Sequence, residues 1–285
     1  MKIGIPEKEV QSPELVEYTY DSQKRKSPAL EELQDIIKYR DLIFQLVRRD
    51  IVARYKRSVL GIAWTMLQPL GMMIVLTLVF SQLFNQVDGY PAYVLGGLMP
   101  WLFFAQTTTS EIQQSVWGGA LMRRIYVPYT AFPAAAVGTG VVNLLLSVIP
   151  LLAMMLVVGR PIRLTILFLP IPIILLSAFA LGLGLFVSSL AVRFPDVAEM
   201  YQIILQAWMY LTPIMYPADI LPEAIRKLQY LNPMYYLILL FRVPIYDGVL
   251  PSLPLILAAT GISVTTLVIG WIYFSYQTDK FSYVA

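Results

Sequence analysis

The stretch LTILFLPIPIILLSAFALGLGLFVSSLAV, Leu164 to Val192, contains no charged side chain. A helix needs about 20 mostly apolar residues to cross the hydrocarbon of a bilayer, so this run has room for a complete span. The pattern recurs: Gly61–Val87, Gly89–Ser110, Ile125–Gly159 and Gly248–Thr278 are also free of charge. Over 285 residues, 58% are hydrophobic and 14% charged, with a mean hydropathy of +0.65. Soluble domains carry about 25% charged residues, because charge is what faces water. Buried core helices are the competing reading, but these are shorter and keep a polar face. The chain therefore reads as an all-α integral membrane protein.

Outside those runs the sequence divides into three parts. Residues 1–29 are polar and interrupted by Pro6, Pro13 and Pro28, which reads as a flexible cytosolic tail without a cleavable signal peptide. The first apolar segment is then expected to serve as the insertion signal. In 30–57, Leu33, Ile36, Ile37, Ile43, Phe44, Val47 and Ile51 recur at helical spacing among Lys38, Arg40, Arg48, Arg49 and Arg54. That pattern predicts an amphipathic interfacial helix, with packing on a partner as the alternative. Residues 58–285 form the membrane domain, with six spans expected near 61–84, 92–110, 131–158, 164–190, 199–216 and 252–275. Before the last span, 217–251 mixes apolar stretches with Pro217, Pro222, Pro233, Pro244 and Pro251. It predicts short broken, re-entrant helices, which need protein or water to satisfy their backbone.

Basic residues near span ends set orientation. With both termini inside, the cytosolic set is Arg48, Arg49, Arg54, Lys56, Arg57, Arg123, Arg124, Arg193 and Lys280, against Arg160, Arg163, Arg226, Lys227 and Arg242 outside. Nine against five favours that topology, although Arg160 and Arg163 in a short outer loop run against it.

The chemistry that is missing narrows the function. There is no cysteine and no histidine, so disulfides, thiolate chemistry and the commonest metal ligand are absent. Apart from Glu199 at the very start of the fifth, the expected spans hold no Asp, Glu, Lys, Arg or His, which disfavours a proton-driven carrier. No phosphate-binding G-x-x-x-x-G-K-[ST] loop occurs, so an energy source would have to lie on another subunit. A net charge of +3 gives no indication of nucleic acid as a partner. Asp196 and Glu199 read as a solvated loop rather than a catalytic pair.

Three stretches carry a family likeness: YKRSVLGIAWTMLQPL (55–70), LMRRIYVPYTAFP (121–133), and LTPIMYPADILP with LNPMYYLILLFR (211–222 and 231–242). Their order and their placement against the spans resemble the permeases of ABC-2-type exporters of cell-surface polysaccharide, namely O antigen, capsule or teichoic acid. The likeness runs from about residue 35 to 280. It implies a permease of the cytoplasmic membrane that carries lipid-linked polysaccharide, most closely O antigen, through a channel between two copies of the chain. It also implies two separate ATP-binding cassette subunits on which ATP and magnesium bind, so that this chain needs no cofactor and is not an enzyme.

The resemblance assigns Arg123, Arg124, Ile125, Tyr126, Val127 and Pro128 to ATPase coupling, with a positive-inside anchor as the plain alternative. Rings suit a moving glycan because flat apolar sugar faces stack on them. Trp64, Phe103, Phe104, Tyr201, Trp208 and Tyr210 are the candidate channel aromatics, and Tyr216, Tyr230, Tyr235 and Tyr236 the candidate exit group. An ordinary interfacial aromatic belt competes for all of these, and especially for Trp64 and Trp101. The remaining alternatives are a drug, lipid or peptide exporter of the same architecture, a polytopic enzyme acting on lipid-linked sugars, and a secondary transporter.

Overall fold

The computed structural model describes residues 28–56, 59–117 and 128–284. Among them the chain forms ten α-helices and three short turns of 3-10 or π-helix, with no strand. In chain order the α-helices are α1 (Pro28–Lys38), α2 (Arg40–Tyr55), α3 (Ala63–Phe80), α4 (Tyr90–Trp117), α5 (Ala131–Val157), α6 (Pro170–Arg193), α7 (Asp196–Leu211), α8 (Glu223–Gln229), α9 (Pro233–Arg242) and α10 (Leu253–Val284).

Local sequence explains several boundaries. Gly89, at φ +67°, turns the chain into α4. Pro170 opens α6, where its missing N–H would have no helical partner anyway. α6 stops at Arg193 because Phe194 precedes Pro195 and is held extended, at φ −132° and ψ 94°. Asn232 caps α9 by accepting from the Met234 N–H at 3.1 Å, with Pro233 following as the first helical residue. At the far end of α9, a π turn over Val243–Asp247 closes on Gly248 at φ +65°.

α4 is the axis of the fold. It packs against α3, α5, α6, α7 and α9, and its Leu95, Leu98, Met99 and Phe104 are almost wholly buried. α6 and α10 form the closest helix pair, because Gly182 and Gly270 meet backbone to backbone with no room for a Cβ at either position.

The two N-terminal helices dock on the bundle. Leu46 of α2 is buried against Phe132 and Ala135 of α5. Trp271 of α10 donates its indole N–H to the Ala29 carbonyl at 3.0 Å, and Thr130 donates to Glu32 at 2.5 Å. The single helix expected over 30–57 is thus two, broken at Tyr39.

Among the described residues, four segments are long and apolar enough to cross a membrane: α3, α5, Leu164–Arg193 and Leu253–Gln277. α4 is longer than α3, but Gln106, Thr107, Thr108, Thr109 and Glu111 dilute its apolar content. α7, at 16 residues, ends at Leu211 and not at 216. It spans about 24 Å at 1.5 Å per residue.

Candidate functional site

The charge-free interior expected from the sequence needs correction, because two charged side chains are buried. α4 continues past Ser110 to Trp117 and carries Glu111 into the bundle, fully buried. Among the described residues, neither carboxylate oxygen of Glu111 finds a hydrogen-bond partner. Its space is made by Gly184 of α6, where any Cβ would collide with the carboxylate. The sequence could not reveal this, because an acid after an uncharged run looks like the membrane boundary.

The second is Arg242, counted above as an outer-loop charge and in fact almost wholly buried beneath α4. Its guanidinium donates to the carbonyls of Pro213 at 3.2 Å and Ile214 at 2.9 Å, and lies 3.9 Å from the Tyr93 ring centre. Gly97 of α4 leaves the space that its guanidinium fills. Neighbouring carbonyls are held in the same way. Gln229 donates to Leu211 O at 2.7 Å, Tyr90 to Met215 O at 2.7 Å and Tyr93 to Tyr216 O at 3.2 Å. The chain leaving α7 therefore turns with five carbonyls, those of Leu211, Pro213, Ile214, Met215 and Tyr216, each taken by a side chain from another element. This is how irregular backbone can be tolerated at or near membrane depth.

Arg160 is also engaged. It pairs with Asp88 at 3.1 Å, donates to Tyr246 O at 2.8 Å and stacks 4.0 Å from the Tyr246 ring centre. The Tyr246 hydroxyl in turn donates to the Asp88 carbonyl. One of the two arginines that ran against the expected orientation is therefore partly neutralised by its neighbour.

The candidate aromatic residues fall into three groups. Phe104 and Trp208 stack edge-to-face at 5.3 Å, with Trp101 and Phe179 against them, inside the core. Trp208 is oriented by its N–H donation to Asn232 at 2.8 Å. Tyr201 is buried beside them and donates to Thr108 at 2.9 Å. Trp64 and Phe103 instead line a separate, partly open cavity of 220 Å³ between α2, α3, α4 and α5. Tyr210 lies exposed at the end of α7, its carbonyl accepting from the Tyr216 hydroxyl at 2.9 Å.

Of the exit group, Tyr230, Tyr235 and Tyr236 form one edge-to-face chain with ring centres 6.2 and 5.4 Å apart. Burial and the adjoining phenols push the Tyr235 hydroxyl up from its ordinary value, so it remains a hydrogen-bond donor at neutral pH. The coupling segment Arg123, Arg124, Ile125, Tyr126 and Val127 lies outside the described residues. Pro128 is described, and sits buried just before α5.

Long apolar helices around a central helix, with an irregular turn held by buried side chains, define a polytopic α-helical membrane protein. Residues 41–246 match the family model of the ABC-2 type transporter, and the chain belongs to that family. Among curated relatives it is 28% identical over 261 residues to the O-antigen export system permease protein RfbA of Myxococcus xanthus, covering 88% of this chain and 97% of the relative. It is 27% identical over 213 residues to the protein of that name from Klebsiella pneumoniae, covering 74% and 82%. The polysialic acid transport protein KpsM of Escherichia coli is 22% identical over 210 residues, covering 71% and 80%.

Proposed function

We propose that this chain is the permease of an ATP-driven exporter that moves a lipid-linked cell-surface polysaccharide, O antigen before other polymers, across the cytoplasmic membrane. The observation that carries the reading is the end-to-end similarity to an O-antigen export permease, over 88% of this chain and 97% of that relative.

In this reading α4 and α7 join the four apolar segments as spans, which gives six, with both termini in the cytosol. Two copies enclose the channel. Two separate ATPase subunits bind ATP and magnesium and act through Arg123–Pro128 and the docked α1 and α2. Trp64, Phe103, Phe104, Tyr201, Trp208 and Tyr210 belong to the translocation path or to the packing that shapes it, and Tyr216, Tyr230, Tyr235 and Tyr236 to its outer end. The similarity to a polysialic acid transporter supports a capsular polymer as the second reading.

Deleting the gene tests the proposal. Export of the surface polymer is expected to stop while finished lipid-linked glycan accumulates on the cytosolic face. Normal surface polymer in the deletion strain, or export that survives ATP depletion and collapses with the ion gradient, overturns it.

A further inference from the structure

α7 has two exposed sides of different chemistry. Gln202, Gln206 and Tyr210 recur every four residues, are all exposed, and so share one side of the helix. Met200, Ile204 and Leu211 form the other, apolar side, about 140° away at ~100° per residue. On α4, the exposed Gln106 and Gln113 stand on one side with the half-buried Thr109 between them. Gln106 donates to the exposed Gln68 of α3 at 3.2 Å, and Gln202 donates to Thr109 at 3.2 Å. These two bonds join α3, α4 and α7 into one continuous polar face.

The face consists of five amides and a hydroxyl, and charge enters only at its inner end, with Glu199. Among the described residues, α5, α6 and α10 expose no asparagine or glutamine and present instead Leu145, Ile149, Ile174, Leu257 and Ile269. Amides turned toward lipid would lose the hydrogen bonds that water gives them, so this face is not built for hydrocarbon. The side-chain amides of Gln113 and Gln206 have no hydrogen-bond partner among the described residues. Their hydrogen bonds are therefore made with something outside the chain. Amides both donate and accept, as sugar hydroxyls do. Each such neutral bond contributes little net, because water competes for it, so a glycan can pass from one amide to the next without being trapped.

We propose that this uncharged amide face is the wall of the translocation path and holds the hydroxyls of the moving sugar chain. Phe104 and Tyr201, both buried, pack behind the wall instead of lining it, and Tyr210 offers a ring at its outer end. The proposal rests on the export reading and names the side chains that meet the cargo.

The chain has no cysteine, so single cysteines can be labelled selectively. Gln113→Cys, Gln202→Cys, Gln206→Cys and the apolar-side control Ile204→Cys are each reconstituted with the ATP-binding cassette subunit in nanodiscs. A charged, water-soluble methanethiosulfonate is the probe. The three glutamine positions are expected to react at least about tenfold faster than Ile204→Cys, because the reactive thiolate forms only in a polar setting. Lipid-linked glycan stalled by a non-hydrolysable ATP analogue is expected to slow them at least about tenfold, and the lipid carrier without glycan to leave them unchanged. Gln113→Leu with Gln206→Leu is expected to slow export about fivefold or more at an unchanged rate of ATP hydrolysis.

One reaction rate at all four positions overturns the assignment. Labelling that glycan does not slow makes the face a water-filled crevice and overturns it too. A spontaneous disulfide dimer at both Gln202→Cys and Gln206→Cys, with no thiol left to label, makes the face a contact between two copies and does the same. Full export by the leucine pair removes this inference alone. Failure of the unsubstituted complex to move any lipid-linked glycan, with the labelling contrast intact, removes the export reading beneath it.

Discussion

The seam between α6 and α10 and the outer faces of α3 and α7 are built from similarly apolar sequence, yet they pack in opposite ways. In the Leu164–Arg193 segment, 39% of the apolar window is buried within one chain, whereas in α3 the share is 11%. The seam achieves this with small residues: Gly182 and Gly270 let two backbones touch, and Gly184 admits Glu111. α3 buries only Pro69 and Met73 and leaves Ile74, Val75, Leu78 and Val79 uncovered. α7 likewise buries Tyr201 and Leu205 and exposes Met200, Ile203, Ile204 and Leu211. In a bilayer, lipid tails are as apolar as leucine, so large side chains alone do not drive helices together. Close backbone approach and hydrogen bonds do. The seam is thus a fixed scaffold, and the outer faces are left for lipid or a second copy of the chain.

The largest effect is expected at the seam. Gly182→Leu would drive a side chain into the backbone of Leu267, where even a Cβ would stand 2.5 Å from its N and Cα atoms. A loss of about 3 kcal/mol or more is expected, read as failure to recover a monodisperse protein in detergent. A well-folded Gly182→Leu protein would show that the seam is looser than described.

Arg242→Met comes next. It leaves the Pro213 and Ile214 carbonyls without their donor, and a cost of about 2–4 kcal/mol follows from two unpaired buried acceptors. Thermal unfolding in detergent reads it, with Arg242→Lys expected to recover part of the loss. A change in export with no change in melting temperature would instead make Arg242 a residue of the transport cycle.

Glu111→Met should move the other way. Removing a buried carboxyl that has no partner is expected to stabilise the fold by about 1 kcal/mol. Export that falls while the melting temperature rises would give Glu111 a functional role that its isolation within one chain does not suggest.

The smallest stability effect belongs to the outer face. Ile203→Ala with Leu211→Ala is expected to shift unfolding of the protomer by no more than about 0.5 kcal/mol per site, while lowering the fraction that crosslinks as a dimer. An unchanged dimer fraction would assign the exposed face of α7 to lipid.

The four long apolar segments were legible because charge-free runs mark them directly. Three features were hidden for identifiable reasons. The break at Tyr39 lies inside a continuous amphipathic pattern, so periodicity alone carries straight through it. Glu111 looked like the end of a span because its burial depends on Gly184, 73 positions away in the chain. Arg242 looked like a loop charge because its partners are backbone carbonyls, which a sequence does not display. Among the candidate site residues, the chain of Tyr230, Tyr235 and Tyr236 follows from their spacing around one turn and helix. The separation of Trp64 and Phe103 from the Phe104–Trp208 cluster does not, since Phe103 and Phe104 are adjacent on α4 and point only about 100° apart, yet one lines the cavity and the other the core.

The most direct test of the central claim is reconstitution. The full-length chain, purified with the ATP-binding cassette subunit proposed as its partner, is placed in vesicles loaded on the ATPase-exposed side with a lipid-linked glycan, and the opposite leaflet is probed with a membrane-impermeant lectin. Lectin-accessible glycan is expected to appear with ATP and magnesium, and not with a non-hydrolysable analogue or with an ion gradient alone. Accessibility that appears at the same rate without ATP hydrolysis would contradict the assignment of this chain as an ATP-driven polysaccharide permease.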